Sequence, residues 1–383
     1  MKQYDFVLIG CGLFNSVLAE RISHKLNKSV LIIEKRDHIG GNCYSDIDNN
    51  TGIEFHKYGT HIFHTSIKRV IRYINKFAKF NSYRHQVLSK YQNKIYQMPF
   101  NLETINSFYN KNFSPDEARK YMKEITQKDS FQNPKNLEEK AINMVGRELY
   151  EAFIKNYTSK QWGKKPIDLP SSIINRIPVR FSYNEDYFNN CEIQGIPVDG
   201  YKKLFENLLS NKKINIILNT DYLKIKENKF KPKYYTIYSG PLDRLYNYKY
   251  GKLEWRSLLF KRKILKKNDF QGTSVINFSD IEKKYTRIHE PKHLHPERNK
   301  IFNSNKTLVI YEFPTQDNDN PYYPINTNEN RKLHRKYKIL ASKQKNFLIG
   351  GRLADYAYYD MDMTISAALK LFDRISKKIS REV

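Results

Sequence analysis

Gly10-Cys-Gly12-Leu13-Phe14-Asn15 follows directly on the apolar run Asp5 to Ile9. Two glycines at that spacing let a strand turn sharply into a helix. The helix N-terminus then presents backbone N–H groups to an anion, the arrangement that holds a dinucleotide pyrophosphate. Asn15 stands where a third glycine would allow close helix–strand packing, so the first helix is expected slightly farther from the sheet. Val17 to Ile22 begins an amphipathic helix, and Ser29 to Ile33 reads as a second buried strand. Glu34 ends that strand, where it can accept hydrogen bonds from ribose hydroxyls. The glycine pattern alone would fit any Gly-rich turn; the strand before it, the helix after it and the terminal acid make it a cofactor site. Gly40-Gly41-Asn42 continues past the acid and lets the chain run close to a long cofactor. That continuation is more typical of FAD than of NAD. Gly240 and Gly350-Gly351-Arg352 each follow an apolar strand, and Gly351 with Arg352 is expected to cap the pyrophosphate.

A second constellation is spread along the chain. Tyr157-Thr158 precedes Gln161-Trp162-Gly163, and Arg176 and Arg180 flank Pro178. Tyr187-Phe188, Arg287, Pro321-Tyr322-Tyr323-Pro324 and Tyr358-Tyr359-Asp360 follow. A guanidinium offers a rigid fork to phosphate oxygens, and tyrosine hydroxyls on rigid rings suit phosphate and sugar. Such a set fits an aromatic base, a sugar and a diphosphate, although any single tyrosine is as well read as core. His56, His61 and His64 lie close in sequence, as do His289, His293 and His295. Neither group shows a third ligand at metal-binding spacing, and no metal is expected.

These residues need a scaffold of several parts. Residues from about 66 to 160 read mostly helical, with Ser114 an N-cap before Pro115. Gln92 to Pro99 interrupts them like a hairpin strand. Residues 161–195, with Pro166, Pro170 and Pro178, read as an irregular, mobile loop. Gly200 to Leu209 reads as a helix, and Ile214 to Leu218 and Tyr234 to Tyr238 as strands. Residues 246–325 look strand-rich and mostly antiparallel. Lys261-Arg262-Lys263 and Lys266-Lys267 read as solvated charge, 331–342 as a basic helix and Met363 to Lys378 as the closing helix.

The 383 residues are 39% hydrophobic and 14% aromatic, enough for a sizeable core in two or three domains. The formal net charge is +27, read mainly as solvated basic surface. Cys11, Cys43 and Cys191 form no pair pattern, which excludes a disulfide scaffold or an ordinary zinc module. No run approaches the ~18 apolar residues of a membrane helix. A soluble, cytoplasmic protein is expected.

Taken in order, a longer series of segments resembles the UDP-galactopyranose mutase family, bacterial type. It includes Gly10 to Phe14, Ile33 to Arg36 with His38 to Asn42, His56 to Gly59 with His61 to Thr65, and Met98 to Asn101. It continues with Asn136 to Glu139, Lys160 to Gly163, Arg176 to Phe181, Gln194 to Val198, Tyr285 to Arg287, Pro321 to Pro324, Gly350 to Ala354 and Tyr358 to Met361. The resemblance implies an α/β fold: a discontinuous Rossmann-like FAD-binding domain with an inserted helical domain and a mostly antiparallel β-sheet domain. The FAD domain is placed at 1–70, 196–245 and 335–383, the helical domain at 71–160 and the sheet domain at 161–195 and 246–334. It implies an isomerase that interconverts UDP-galactopyranose and UDP-galactofuranose for cell-surface glycans. In that chemistry N5 of reduced FAD attacks the anomeric carbon and displaces UDP, the sugar opens and recloses through O4, and UDP returns.

Carried over by residue, Arg176 and Arg287 would clamp the diphosphate, with His64 against the flavin and Asp360 near the same site. Phe153, Tyr157 and Thr158 would hold uridine, and Trp162 would lie on a mobile loop. Tyr187, one of Tyr322 and Tyr323, and Tyr358 would bond phosphate oxygens. Gly10, Gly12, Leu13, Phe14, Glu34, Lys35, Asn42, His61, Gly351, Arg352 and Asp360 would meet FAD. The partner is a UDP-galactose substrate, with no nucleic acid and no membrane insertion, and a homodimer is expected. Thr60 and Asp199 stand where the family commonly has small residues, so the sugar preference is open, with UDP-N-acetylgalactosamine one alternative. A flavin oxidoreductase of amine-oxidase-like fold is another, but it would not need Arg176, Arg287 and the tyrosines. A charge-driven nucleic-acid or membrane-surface binder is the third, and no binding motif supports it.

Overall fold

The computed structural model describes residues 3–188, 191–225, 230–317 and 320–381, without the side chains of Asn175 and Arg176. The strand Phe6–Ile9 is buried on both faces, as is Val30–Ile33. Such uniformly apolar strands suit a parallel sheet covered on both sides. They form one, in the order 347–349, 235–238, 6–9, 30–33, 214–217. Phe6 and Leu8 face the core beneath the helices Leu13–Lys25 and Met361–Ile379. Val7 and Ile9 point the other way, into a core with Tyr337 of the helix Asn328–Ser342 and Trp255. Strands from three separated stretches of chain thus complete one sheet.

Asn15 does more than replace a glycine. It is fully buried, and its Nδ2 donates to the Ile9 and Gly10 carbonyls at 2.9 Å each and to Ser239 Oγ at 3.1 Å. The side chain ties the turn to the end of the neighbouring strand, work a third glycine could not do.

A second, seven-stranded sheet runs 323–324, 255–265, 307–315, 287–289, 275–278, 87–91, 94–98. Its pairs are antiparallel except 87–91 against 275–278. One reading changes here. The hairpin 87–98 belongs to this sheet and not to the helical segment that surrounds it in sequence. The basic stretch around Lys261 lies on an eleven-residue strand, Trp255–Leu265, whose first four residues, Arg256 among them, are buried and whose Lys261, Arg262 and Lys263 stay exposed, as expected.

The helical layer begins its helices as the residue types dictate. Ser114 caps Pro115–Lys128 in a reciprocal capping box with Glu117. Asn136 Oδ1 accepts the Glu139 N–H at 3.0 Å at the start of Leu137–Val145. Tyr150–Lys155 is a π-helix, a local widening that sequence periodicity does not reveal. Trp162, Leu169 and Ile174 join this layer's core with Leu137 and Ile142. The start of the 161–195 segment therefore packs with the helices, in short 3-10 turns at Pro166–Asp168 and Ser171–Arg176.

Candidate active site

The two sheets and the helical layer enclose a cavity of about 680 Å³. At one end the walls are mostly backbone. Gly10 has φ +94°, and a Cβ there would lie 2.6 Å from Ser239 Oγ. A Cβ at Gly41 would sit 2.9 Å from Gly12 Cα, so the two glycine turns touch each other. Gly12 has nothing within 4 Å of a Cβ position, leaving open space over the helix N-terminus. Glu34 is buried; its two oxygens accept the Cys11 N–H at 2.6 Å and the Arg36 N–H at 2.9 Å. Burial, with Glu34 beside it, pushes the Cys11 thiol up to about 12, so it is no nucleophile. Thr220, Asp221 and Arg244 close the far end, where Arg244 bonds Asp221 at 2.6 Å. Lys35 lies nearby, its pKa lowered by burial and by Arg244 and Arg36.

At the other end the walls are side chains. Arg287 and Glu312 are direct partners across two antiparallel strands, and Arg287 NH1 donates to Glu312 Oε1 at 3.1 Å. Burial opposes both charges, but each stabilises the other. Arg287 is held well above its ordinary pKa by Glu312, and Glu312 is held down to about 2 by Arg287 and His289. Arg287 also lies 5.8 Å from the Tyr157 ring centroid, and burial raises the Tyr157 pKa. Tyr323 and Tyr358 stack with ring centroids 5.6 Å apart, and Arg352 lies 5.1 and 4.6 Å from them. Arg352 NH1 donates to the Tyr359 carbonyl at 3.2 Å, while its Nε and NH2 are buried without partners. Buried guanidinium N–H groups left open call for an anion.

Between the ends, His64 stacks on Phe188 at 3.7 Å, with Asp360 Oδ2 3.9 Å from its Nε2. Burial lowers the His64 pKa and takes His61 down to about 4. His61 Nδ1 donates to the Gly59 carbonyl at 2.7 Å, and the His61 N–H donates to His56 Nδ1 at 2.9 Å. The three histidines therefore serve different partners. Among the described residues, Asp269, Glu290 and His293 bring possible metal-ligand atoms within 4.8 Å of one another, away from this cavity.

Of the residues expected at the site, Gly10, Gly12, Leu13, Phe14, Glu34, Lys35, Asn42, His61, Gly351 and Arg352 line the cavity. So do His64, Phe153, Tyr157, Thr158, Trp162, Tyr187, Arg287, Tyr323, Tyr358 and Asp360. Tyr322 does not; it packs near Tyr58 and Phe260, leaving Tyr323 as the member of the pair that faces inward. The Arg176 side chain lies outside the described residues. Trp162 is buried near Tyr323, and its segment is tethered. Lys160 Nζ donates to the carbonyls of Phe278 (2.8 Å), Asp280 (2.7 Å) and Lys283 (3.0 Å), and Arg256 donates to those of Lys160 and Gln161. Burial lowers the Lys160 pKa to about 8.

Sequence reasoning missed Glu312, His289 as its partner, and the Lys160 anchor. Lys160 opens the family segment Lys160 to Gly163, but only strand register pairs Glu312 with Arg287.

A glycine turn on a parallel sheet, opening into an arginine- and tyrosine-lined chamber, defines a Rossmann-type enzyme with a turn of the dinucleotide-binding kind. The family description "NAD(P)-binding Rossmann-like domain" matches residues 8–77, and "UDP-galactopyranose mutase" matches residues 152–358, more than half the chain. The chain is 39% identical to the probable UDP-galactopyranose mutase of Klebsiella pneumoniae, over 100% of this chain and 97% of the relative. It is 36% identical to the dTDP-fucopyranose mutase of Escherichia coli, over 95% of this chain and 96% of the relative. A crystal structure of reduced UDP-galactopyranose mutase has the same fold, with TM-score 0.78 at 13% identity, covering 98% of this chain and 94% of that one. The chain belongs to the UDP-galactopyranose mutase family of isomerases.

Proposed function

We propose that this protein interconverts UDP-galactopyranose and UDP-galactofuranose, with reduced FAD in the same cavity as the sugar nucleotide. The observation that carries this reading is the single chamber joining the Gly12 turn to Arg287, Tyr323, Tyr358 and Arg352. The open space over Gly12 and the unpartnered Arg352 N–H groups fit an FAD pyrophosphate. Bound and reduced, FAD would supply a nucleophilic nitrogen for the anomeric carbon.

The chain's own residues bind, orient and stabilise. Arg287 offers charge to the diphosphate as UDP leaves, and Glu312 holds that guanidinium in place. Arg176, at the end of the turn Ser171–Arg176, is assigned the second fork. Tyr187, Tyr323 and Tyr358 offer hydroxyls to phosphate oxygens. Phe153, Tyr157 and Thr158 form the uridine side, and the tethered Trp162 closes the chamber against water. His64, stacked on Phe188, borders the flavin, with the Asp360 carboxylate at the start of the last helix 3.9 Å from its Nε2. The parallel-sheet segments 1–70, 196–245 and 335–383 act as the FAD unit. The product serves cell-surface glycans, and the protein works in the cytoplasm as a homodimer.

The test is turnover. The purified protein is expected to be yellow and, after dithionite reduction, to convert UDP-galactofuranose to UDP-galactopyranose, as followed by chromatography. A yellow protein that leaves the sugar unchanged under reduction contradicts the assignment. Identity to a dTDP-fucopyranose mutase supports a second reading, the same ring change on a thymidine-linked sugar. Conversion of that sugar in place of the uridine-linked ones would select it. UDP-N-acetylgalactosamine belongs in the same panel.

A further inference from the structure

One wall of the cavity extends the Glu312–Arg287 pair into a longer hydrogen-bonded relay. Thr60 Oγ1 lies 2.7 Å from His289 Nδ1. His289 Nε2 lies 3.0 Å from Glu312 Oε2. The other Glu312 oxygen accepts from Arg287 NH1 at 3.1 Å and from Thr286 Oγ1 at 3.2 Å. His289 is 3% exposed and Glu312 1%. Resting on the nucleotide-sugar reading, we propose that Thr60 is a positioning residue. Its hydroxyl holds the His289 ring in the orientation in which Nε2 donates to Glu312, and so sets how Arg287 meets the diphosphate.

For a neutral His289 ring the hydrogen-bond inventory gives the direction of the relay. An ionised carboxylate only accepts, so His289 Nε2 carries the proton it shares with Glu312. In the neutral ring Nδ1 is then an acceptor, and the Thr60 hydroxyl donates to it. Removing the hydroxyl would leave Nδ1 buried without a donor, and the ring would lose the bond that holds Nε2 against Glu312. Glu312 would then lean more heavily on Arg287. The guanidinium cannot serve Glu312 and a diphosphate equally, so a hungrier Glu312 means a weaker grip on the ligand. The backbone holds Thr60 at its post. Gly59 before it has φ +93°, and a Cβ there would meet the Phe260 ring at 3.1 Å and lie 4.0 Å from Glu312 Oε2. Phe260 also packs edge-on to His289, with centroids 6.3 Å apart.

The test compares UDP with uridine on the oxidised, flavin-loaded protein. Thr60→Val keeps the shape and removes the hydroxyl. It should weaken UDP binding about fivefold, the scale of one neutral hydrogen bond, and leave uridine binding unchanged. Thr60→Ser should restore the wild-type UDP affinity. Should Thr60→Val not load flavin, His289→Asn, which is too short to reach Glu312, should give the same selective loss. Equal weakening of UDP and uridine, or unchanged UDP affinity, would overturn the relay. A wild-type protein that binds neither would instead overturn the nucleotide-sugar reading beneath it.

Discussion

The Gly12 end of the cavity is made of backbone, and the Arg287 end is made of side chains. At the first end Gly10, Gly12, Gly40 and Gly41 shape the walls by lacking a Cβ, and Glu34 spends both oxygens on nearby backbone N–H groups. At the second, Arg287, Glu312, His289 and Thr60 reach one another from distant parts of the chain. Backbone geometry within a short stretch of chain shapes most of the first end. The second end depends on strand register and on buried charges that tolerate no missing partner.

That difference can be broken or sharpened by substitution, the largest effect first. Arg287→Ala should lower kcat/KM by about a thousandfold, the scale of losing a preorganised charge at a leaving group, while the protein still loads flavin. More than a tenth of wild-type activity would remove Arg287 from the diphosphate. Gly12→Val should do the reverse. Its Cβ enters empty space, so the melting temperature of the flavin-free protein should hold, while bound flavin measured by absorbance falls at least about tenfold. A variant that keeps its flavin would show that the pyrophosphate does not cross Gly12.

Glu312→Gln should change the pH dependence of stability. A carboxyl whose folded pKa is depressed stabilises above its unfolded value and loses that contribution as pH falls through the folded one. For Glu312 the window runs from 4.5 down to about 2, a difference of roughly 3 kcal/mol. Glu54, also held near 2, titrates in the same window, so the variant's melting curve should flatten there without becoming level. An unchanged slope would mean that Glu312 gains no net stabilisation from Arg287 and His289. The smallest effect falls at the first end. Asn15→Ala removes donors to two carbonyls and should cost about 1 to 3 kcal/mol by denaturant titration, with turnover of the folded fraction intact.

The same contrast decides what could be read from the sequence. The turn Gly10 to Asn15, the acid Glu34 and the flanking apolar strands are contiguous, so their types and spacing express the geometry directly. Most of the predicted aromatic and arginine positions line the cavity because their motifs match a family as a whole, not because any one spacing requires it. Glu312 was invisible, since it becomes Arg287's partner only through pairing of 287–289 with 307–315. Tyr322 and Tyr323 could not be separated by type alone; the pleat at the sheet edge turns only the second inward. The strand Trp255–Leu265 hid behind its lysines, because a half-exposed strand carries charge where a buried one would show an apolar run. The π-helix at Tyr150–Lys155 left no periodic trace either.

The claim that both ends belong to one chamber is tested most directly by titrating UDP into the yellow protein and recording the flavin absorbance. A saturable spectral shift is expected in the wild type, with the shift lost or displaced to much higher UDP concentration in Arg287→Ala, at unchanged flavin content. A flavin spectrum that ignores UDP, or responds equally in both proteins, would contradict a shared cavity with Arg287 at its diphosphate end.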